Sequence, residues 1–238
     1  MAKAAVVLGA SGSVGNAVIA ELIRNGGFGP IVTLVRRALP DQAAMAREAG
    51  IELRETVVPT MDPAALERAT AAAVAALEGD VVGLSVLGIG AGTGKITLAE
   101  HRAVDVELNA AFARALRASG RVHHLAFMTA AGANPTAKET GSGTAGMSRY
   151  NRVKGEAEEA VKRDGPEVVS IFRPGMIIGS QHTPWLLEKV LPVFSFVTPK
   201  NLRSISAQQI AKAMVATSLA PPAATAVYHY PEMIALVG

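Results

Sequence analysis

The sequence predicts a single α/β domain in which helices cover both faces of a doubly wound parallel sheet. Three observations predict it. Short β-branched runs alternate with alanine-rich helical stretches, 238 residues suit one such domain, and half of the residues are hydrophobic. We expect one domain over residues 1–238, in which the segment from about 181 to 238 is a small C-terminal addition.

Six strands are predicted, each as a short apolar run bounded by turn residues: Ala4–Leu8, Ile31–Val35, Glu52–Val58, Val81–Leu87, Val122–Met128 and Val168–Phe172. Helices are predicted at Val14–Asn25, Asp41–Ala49, Leu98–Ser119, Ser148 to about Arg163, and Ile205–Leu219. A further helix is expected to begin with Asp62 as its N-cap and Pro63 in its first position.

Composition excludes several classes of protein. The net charge is only +3, aromatic residues make up 4%, and basic residues are scattered, so nucleic-acid binding is not expected. The absence of cysteine excludes disulfides, thiolate catalysis and cysteine-bound zinc. The apolar run Ala4–Leu8 is too short for a signal peptide, and no stretch of about 20 apolar residues could span a membrane. We therefore expect a cytoplasmic protein.

A glycine-rich turn joins the first predicted strand to the first helix, and it reads Gly9-Ala10-Ser11-Gly12-Ser13-Val14-Gly15. In this setting the early glycines allow a tight turn and close approach of a pyrophosphate, and the last one lets helix and strand pack closely. The helix N-terminus then favours the negative charge of the phosphates. The motif predicts a Rossmann-type dinucleotide site, and the alternative is an ordinary β–α turn.

The end of the second strand indicates which dinucleotide is bound. NAD-binding proteins place an acidic residue there for the ribose 2′-hydroxyl, whereas arginine accommodates a 2′-phosphate. This sequence has Arg36 and Arg37 and no carboxylate at that point, which favours NADP(H) over NAD(H). The alternative is a solvated loop end that carries two surface charges.

A second glycine-rich segment, Gly90-Ala91-Gly92-Thr93-Gly94-Lys95-Ile96-Thr97, resembles a phosphate-binding P-loop. The motif requires a glycine where Ile89 stands and a Ser or Thr directly after the lysine, where Ile96 stands. The segment therefore does not indicate a nucleoside triphosphatase.

Tyr150 and Lys154 are four residues apart in the helix after the fifth strand, so they share one helical face. A tyrosine hydroxyl is a weak acid at neutral pH unless a nearby cation favours its phenolate, and Lys154 can supply that cation. Such a pair is usually only a feature of a helix surface. Its place behind a dinucleotide loop favours an acid–base role.

Together these features resemble the short-chain dehydrogenase/reductase superfamily over nearly the whole chain. Details are similar to its atypical branch, which includes HIV Tat-interactive protein 2 and NAD(P)H-binding, epimerase-like relatives. The resemblance rests on the glycine loop, the strand end at Arg36, and the segments Leu87-Gly88, Val104-Asp105, Tyr150 to Glu156, and Phe172-Arg173-Pro174-Gly175.

The resemblance implies a role for individual residues. Asp62 would lie beside the adenine, and Leu87 and Gly88 would lie against the nicotinamide ribose, which Lys154 would also bind. The nicotinamide would be bordered by Pro174, Gly175 and Met176. The residues from Gln181 to Arg203 would shape the substrate site, so that the C-terminal segment contributes to the substrate side.

Two positions depart from the family pattern. The family usually places serine at the end of strand five to polarise the substrate carbonyl, whereas this chain has Thr129 followed by Ala130. Asp105 stands near a position where other branches carry an asparagine that organises a proton relay. We expect Tyr150 to protonate a small carbonyl substrate, Lys154 to assist it, and Thr129 to hold the carbonyl oxygen.

The alternative hypothesis is a non-catalytic NADP(H)-binding regulator or redox sensor, which Ala130 favours mildly. The sequence leaves open a homodimer or a regulatory protein partner. No metal set is predicted, although His101 has acidic neighbours in its helix, and His123 and His124 are expected to be structural. The charges from Glu156 to Arg163 are expected on a solvated helix face, and the role of Trp185, pocket or packing, stays open.

Overall fold

The structure is a computed structural model that describes residues 2–139, 146–178 and 200–237. The strands are β1 Lys3–Leu8, β2 Phe28–Val35, β3 Leu53–Val57, β4 Val81–Ser85, β5 Val122–Met128, β6 Val168–Phe172, β7 Ile177–Ile178, β8 Ile205–Ser206 and β9 Ala226–Tyr228. Seven of them form one parallel sheet in the order β3-β2-β1-β4-β5-β6-β9, and β7 and β8 form a separate short parallel pair. The predicted Rossmann-type fold class is confirmed.

The helices alternate with these strands in the chain. They are α1 Ser13–Asn25, α2 Pro40–Glu48, α3 Pro63–Ala75, α4 Leu98–Arg102, α5 Asn109–Ala118, α6 Gly146–Asp164, α7 Ala207–Leu219 and α8 Tyr230–Ala235. A π-helical turn, Ala103–Leu108, joins α4 to α5 without a break. The predicted N-cap of α3 is confirmed, because the Asp62 carboxylate accepts the backbone N–H of Ala65 at 2.9 Å.

Successive residues of β1 face opposite sides of the sheet, and both sides are buried. Ala5 and Val7 lie in the core that α1, α2 and α7 cover, whereas Val6 and Leu8 lie in the core under α3, α5 and α6. Burial on both faces explains why the strands are almost continuously apolar. The carboxyl-terminal strand ends are therefore the part of the sheet left for a site.

Three sequence expectations about helices and strands need correction. Helix α6 begins at Gly146 and not at Ser148, so Ser148 lies inside the helix. The stretch predicted as one helix from Ile205 starts with strand β8, and helix α7 begins only at Ala207, with Ser206 as its N-cap. Strand β9 and helix α8 were not predicted, because three and six residues are too few to show a periodic pattern.

The C-terminal part of the chain is built into the core. Ile210 and Met214 of α7 pack with Ile19 and Leu22 of α1 in one buried cluster, and β9 extends the sheet beyond β6. The segment expected on the substrate side thus contributes mainly to the fold where the structure describes it. None of the described helices is both long and apolar enough to cross a membrane.

Candidate active site

A cavity of about 460 Å³ lies at the carboxyl ends of β1, β2 and β4. In the strand order, β1 and β4 are neighbours although the chain runs from β1 outward to β3 before it returns. Such a switch point opens a crevice outside the strand ends, where doubly wound proteins bind ligands. The wall of the cavity is formed by Leu8, Gly9, Ala10, Ser11, Gly12, Leu34, Val35, Arg36, Thr60, Met61, Val86, Leu87, Gly88, Ile89, Val104 and Leu108.

The glycines of the loop after β1 fill the roles that the motif predicts. Gly9 has a φ of +90°, and a Cβ there would lie 2.6 Å from the backbone nitrogen of Leu87. A Cβ on Gly15 would overlap the carbonyl oxygen of Gly9, so this glycine permits close packing of helix on strand. At Gly12 the nearest atom to an added Cβ is 3.8 Å away. There is therefore no room for a side chain at Gly9 or Gly15, which pack against the protein, whereas the space beside Gly12 is open.

No side chain caps the amino end of α1, and a side chain from α2 holds the loop that precedes it. Gly12 is the N-cap and has no side chain, so no side chain caps the first turn of α1, the end of a helix that favours an anion. Ser13 and Val14, the first two helical residues, belong to that turn. The side-chain amide of the buried Gln42 donates to the carbonyl of Ala10 at 2.8 Å and to Asn16 Oδ1 at 2.7 Å. Gln42, which the sequence did not single out, thus couples α2 to the loop.

The two arginines after β2 differ in position. Arg36 lines the cavity and its side chain is exposed, whereas Arg37 is exposed and is not part of the cavity wall that the structure describes. The backbone N–H of Leu39 donates to Glu55 Oε1 at 2.7 Å, which fixes the end of this loop. Arg36 is therefore the arginine placed to contact a ligand.

Asp62, the residue expected beside the adenine, is engaged elsewhere. Besides capping α3, its carboxylate accepts the hydroxyl of Thr60 at 2.6 Å, and these hydrogen bonds lower the pKa of Asp62. Thr60 and Met61 line the cavity in its place. Met61 has a φ of +45°, an uncommon conformation for a non-glycine residue, and sequence reasoning had no signal for it.

The π-helical turn places Asp105 beneath the cavity. The backbone N–H of Asn109 donates to the carbonyl of Val106, and its side-chain amide donates to the carbonyl of Asp105 at 2.9 Å. Asn109 Oδ1 accepts the hydroxyl of Ser85 at 2.5 Å, which ties the turn to the end of β4. Such turns are frequent at functional sites. The regular period of the predicted helix gave no sign of it.

Lys154 reaches this turn from α6. Its ammonium lies 2.9 Å from Asp105 Oδ2, and the two side chains are 5% and 1% exposed. A Cβ on Gly88 would lie 2.5 Å from Lys154 Nζ, so the ammonium stands directly behind the wall of the cavity. Burial lowers the pKa of Lys154, but Tyr150 and Asp105 outweigh burial, so the pKa is raised on balance. Lys154 is therefore a buried cation at the edge of the cavity.

Tyr150 lies next to Lys154, as their spacing predicts. Lys154 Nζ is 5.6 Å from the centre of the Tyr150 ring, and the tyrosine is partly exposed. On its other side the ring stacks on His101, with centroids 6.0 Å apart and planes inclined by 22°. The site therefore contains a reachable tyrosine beside a charged lysine.

The geometry argues against the role expected for Thr129. Its side chain is 3% exposed, and its hydroxyl donates to Glu158 Oε1 at 2.7 Å. The carboxylate of Glu158 in turn accepts two hydrogen bonds from the guanidinium of Arg173, at 2.5 and 2.9 Å. A hydroxyl has one hydrogen to donate, and that of Thr129 is used inside the protein. Glu158 is 2% exposed, so the expectation that the charges from Glu156 to Arg163 lie on a solvated face of α6 is wrong at this residue.

The segment expected near the nicotinamide follows β6. The carbonyl of Pro174 accepts the N–H of Ala131 at 2.8 Å, and a Cβ on Gly175 would lie 2.8 Å from the carbonyl oxygens of Leu202 and Arg203. Met176 is 47% exposed. These residues connect β6 to the β7–β8 pair, and the structure does not place them in the cavity wall that it describes. Residues 179–199, with Trp185 and most of the expected substrate-site segment, lie outside the described residues.

The residues present fit a dinucleotide. The cavity has the volume of a small-molecule site, its glycine loop leaves space at Gly12, and Arg36 lies in its wall after the end of β2. Among the described residues, no group of three or more His, Asp or Glu side chains is placed to hold a metal ion. His124 donates to or accepts from Ser170 at 2.9 Å inside the sheet, which agrees with a structural role.

Comparison with known proteins agrees with this fold. The structure is similar to a short-chain dehydrogenase/reductase from Serratia marcescens, with a TM-score of 0.64 and 18% identity over 97% of this chain and 98% of that chain. It is similar to an alcohol dehydrogenase from the archaeon Thermococcus sibiricus complexed with 5-hydroxy-NADP (TM-score 0.64, 18% identity, 98% of both chains). A third similar structure is L-sorbose reductase from Gluconobacter frateurii with NADPH and L-sorbose (TM-score 0.66, 15% identity, 96% and 95% of the chains).

Sequence comparison identifies the family. No curated protein matches the chain. Residues 9–221 match the family described as NAD(P)H-binding, a range that begins at the first glycine of the loop and ends beyond α7. With the fold, the cavity at the switch point and the glycine loop in agreement, the chain belongs to the NAD(P)H-binding family.

Proposed function

We propose that this protein is an NADP(H)-dependent oxidoreductase of the atypical short-chain dehydrogenase type, acting on a small carbonyl or alcohol. One observation carries the proposal. Gly88 belongs to the cavity wall and at the same time touches the ammonium of Lys154, which lies beside Tyr150. Gly88 thus separates the cavity from the acid–base pair, with the cavity on one side and the Lys154 ammonium on the other. An ordinary surface Tyr–Lys pair would have no such neighbour.

Arg36 supports NADP(H) as the cofactor. It is the arginine at the cavity wall, and the second strand ends without a carboxylate that would repel a 2′-phosphate. A guanidinium offers a planar, permanently charged fork that matches phosphate. Two of the structurally similar enzymes are described with NADP-type cofactors, 5-hydroxy-NADP and NADPH, which is consistent with this choice.

The chain's own residues would hold and move the proton. Bound NADPH would supply the hydride, and the loop from Gly9 to Gly15 would hold its pyrophosphate. Tyr150 would donate its hydroxyl proton to the oxygen of a carbonyl substrate. Lys154 would stabilise the phenolate that remains, because its positive charge is close to the ring and poorly solvated.

A non-catalytic NADP(H)-dependent regulator is the second candidate. The observation that favours it is Thr129, because its buried hydroxyl donates to Glu158 and leaves no donor of its own for a substrate oxygen. Such a protein would bind the cofactor and a partner but would not reduce carbonyls.

Substitution of Tyr150 separates the two functions. Tyr150→Phe removes one oxygen and little packing, so NADPH affinity should hold nearly constant by calorimetry. Turnover of a carbonyl substrate, found by following NADPH oxidation over a panel of aldehydes and ketones, should fall by about 10²–10⁴, the usual contribution of a positioned acid. Lys154→Ala should weaken both turnover and cofactor binding.

Tyr230→Phe provides the control. Tyr230 lies in the first turn of α8, which follows β9 in the chain, and it is not part of the cavity wall that the structure describes. It should leave turnover unchanged. Full turnover in Tyr150→Phe would defeat the proposed mechanism. Absence of turnover over the whole panel, with a partner interaction that responds to NADPH, would favour the regulator.

A further inference from the structure

His101 and Asp105 form a buried polar pair behind Tyr150 and Lys154. His101 is 0% and Asp105 is 1% exposed, and His101 Nε2 lies 3.2 Å from Asp105 Oδ2. The same carboxylate receives Lys154 at 2.9 Å on Oδ2 and the backbone N–H of Ile89 at 2.8 Å on Oδ1. Three donors therefore fix one carboxylate.

The charge of this carboxylate follows from its neighbours. Burial raises the pKa of Asp105, but the hydrogen bond from His101 and the charge of Lys154 outweigh burial, so the pKa is lowered on balance. An ionised carboxylate can only accept hydrogen bonds. His101 must therefore donate from Nε2, and its other ring nitrogen, Nδ1, is also buried. That atom has no hydrogen-bond partner in the described part of the chain.

An unpartnered polar atom in a protein interior is unfavourable, and a leucine would fill similar space without it. The contacts of His101 indicate why an imidazole stands here. Its ring holds Asp105 through the hydrogen bond from Nε2, and its ring face stacks on Tyr150. Both contacts lead to the acid–base pair.

We propose that His101 and Asp105 are positioning residues that keep Lys154 charged and hold it beside Tyr150. This inference rests on the proposed function of the Tyr150–Lys154 pair. A lysine that is 4% exposed tends to lose its proton unless a fixed anion is next to its ammonium. Asp105 is that anion, and His101 prevents it from turning away. Glu158, on α6, also attracts Lys154, but it is hydrogen-bonded to Thr129 and Arg173.

The test reads the ionisation of Tyr150 and needs no substrate. The chain has three tyrosines, so Tyr228→Phe with Tyr230→Phe leaves Tyr150 as the only source of phenolate absorbance in alkaline titration. In that background, Asp105→Asn should raise the pH at which the phenolate forms by about one pH unit or more, because the lysine loses its counter-ion and its charge.

A matched pair at His101 separates the hydrogen bond from the ring. His101→Gln keeps a donor for Asp105 and loses the ring, so the titration midpoint should stay within about 0.3 pH units of the background protein. His101→Phe keeps the ring and loses the donor, so its midpoint should move in the same direction as that of Asp105→Asn. Where a substrate is known, kcat should fall about tenfold for each pH unit by which the midpoint rises, while KM for NADPH changes little.

An unchanged or lower titration midpoint in Asp105→Asn and His101→Phe would overturn the inference, as would equal effects of the two His101 variants. If Asp105→Asn does not fold, the His101 pair alone decides. If the proposed function is wrong but this inference is right, the two measurements give a different result. In that case no variant turns over any carbonyl, and the changes in the titration are still seen.

Discussion

Single residues decide whether the cavity can hold a dinucleotide, and Gly12 is the sharpest case. A Cβ at Gly12 meets no atom closer than 3.8 Å, and its extended backbone suits a β-branched residue. Gly12→Val should therefore fold, with a free energy of unfolding within about 1 kcal/mol of the parent by urea titration. It should lose NADPH binding in calorimetry, because the new side chain enters the phosphate space.

Gly15→Val is the contrasting variant. Its Cβ would overlap the carbonyl oxygen of Gly9, so the protein should be strongly destabilised. If Gly12→Val folds and still binds NADPH with unaltered affinity, the phosphates do not lie on this loop.

Arg36 should set the choice between the two dinucleotides. The unaltered protein should bind NADPH more tightly than NADH by about 1.5–3 kcal/mol, since the 2′-phosphate gains charge-assisted hydrogen bonds. Arg36→Asp should erase or invert that preference. Arg37→Asp carries the same change of charge at a residue outside the described cavity wall and should have a smaller effect. Equal calorimetric affinities of the unaltered protein for NADPH and NADH would contradict the assignment.

Local chemistry could be predicted at this scale where it follows from a short motif. The roles of Gly9 and Gly15 follow from steric rules that are local in sequence, and the Tyr150–Lys154 proximity follows from helical spacing. The partner of Thr129 could not be predicted, because Glu158 reaches it from another element. Side-chain partners that meet through tertiary packing leave no mark in the spacing.

The elements are joined at the site by one buried network. Thr129 at the end of β5, Glu158 on α6 and Arg173 after β6 form a chain of hydrogen bonds. Thr129→Val should destabilise the protein by about 1.5–3 kcal/mol in urea unfolding, because a buried carboxylate loses one donor. Thr129→Ser should restore most of that stability. Turnover should change less than tenfold in both variants.

The opposite pattern would return Thr129 to the role that the family resemblance implies. That pattern is a loss of turnover by about 10² or more in Thr129→Val at unchanged stability, which is the size of effect expected from losing a donor to a reacting oxygen.

Elements with a long or strongly apolar pattern were predictable, and irregular ones were not. The six strands of the core were predicted because burial on both faces makes them apolar throughout. The π-helical turn at Asp105 was missed because one extra residue barely disturbs the period of a long helix. It matters, since this turn carries the carboxylate that meets Lys154.

At the scale of the whole molecule, His124 makes the stability of the folded protein depend on pH. Burial, with a smaller effect of the Lys3 charge, lowers the pKa of His124 to about 4. The unfolded chain takes up this proton near pH 6.5 and the folded protein does not, so stability is full above that pH and is lost as the pH falls towards 4. Between about pH 7.5 and about pH 4.5, about 2–3 kcal/mol of this contribution is lost.

Urea unfolding at about pH 7.5 and about pH 4.5 measures the contribution of His124 to stability. Because His124→Gln does not titrate, the unaltered protein should lose about 2–3 kcal/mol more than the variant on acidification. Carboxylates that protonate in the same range act equally on both proteins. Parallel losses would show that His124 is not buried as a neutral ring.

Helix α7 has a consequence for how the protein is made. It packs on α1, and Lys3 Nζ donates to the carbonyl of Leu219 at 2.8 Å, although these residues stand at opposite ends of the described chain. At about 5–20 residues per second, a ribosome needs on the order of 10 s or more to reach α7 after finishing α1. During that time the side of β1 that carries Ala5 and Val7 lacks the part of its cover that α7 supplies. Part of an apolar core therefore stays exposed until α7 is synthesised, and exposed apolar surface of this kind favours aggregation.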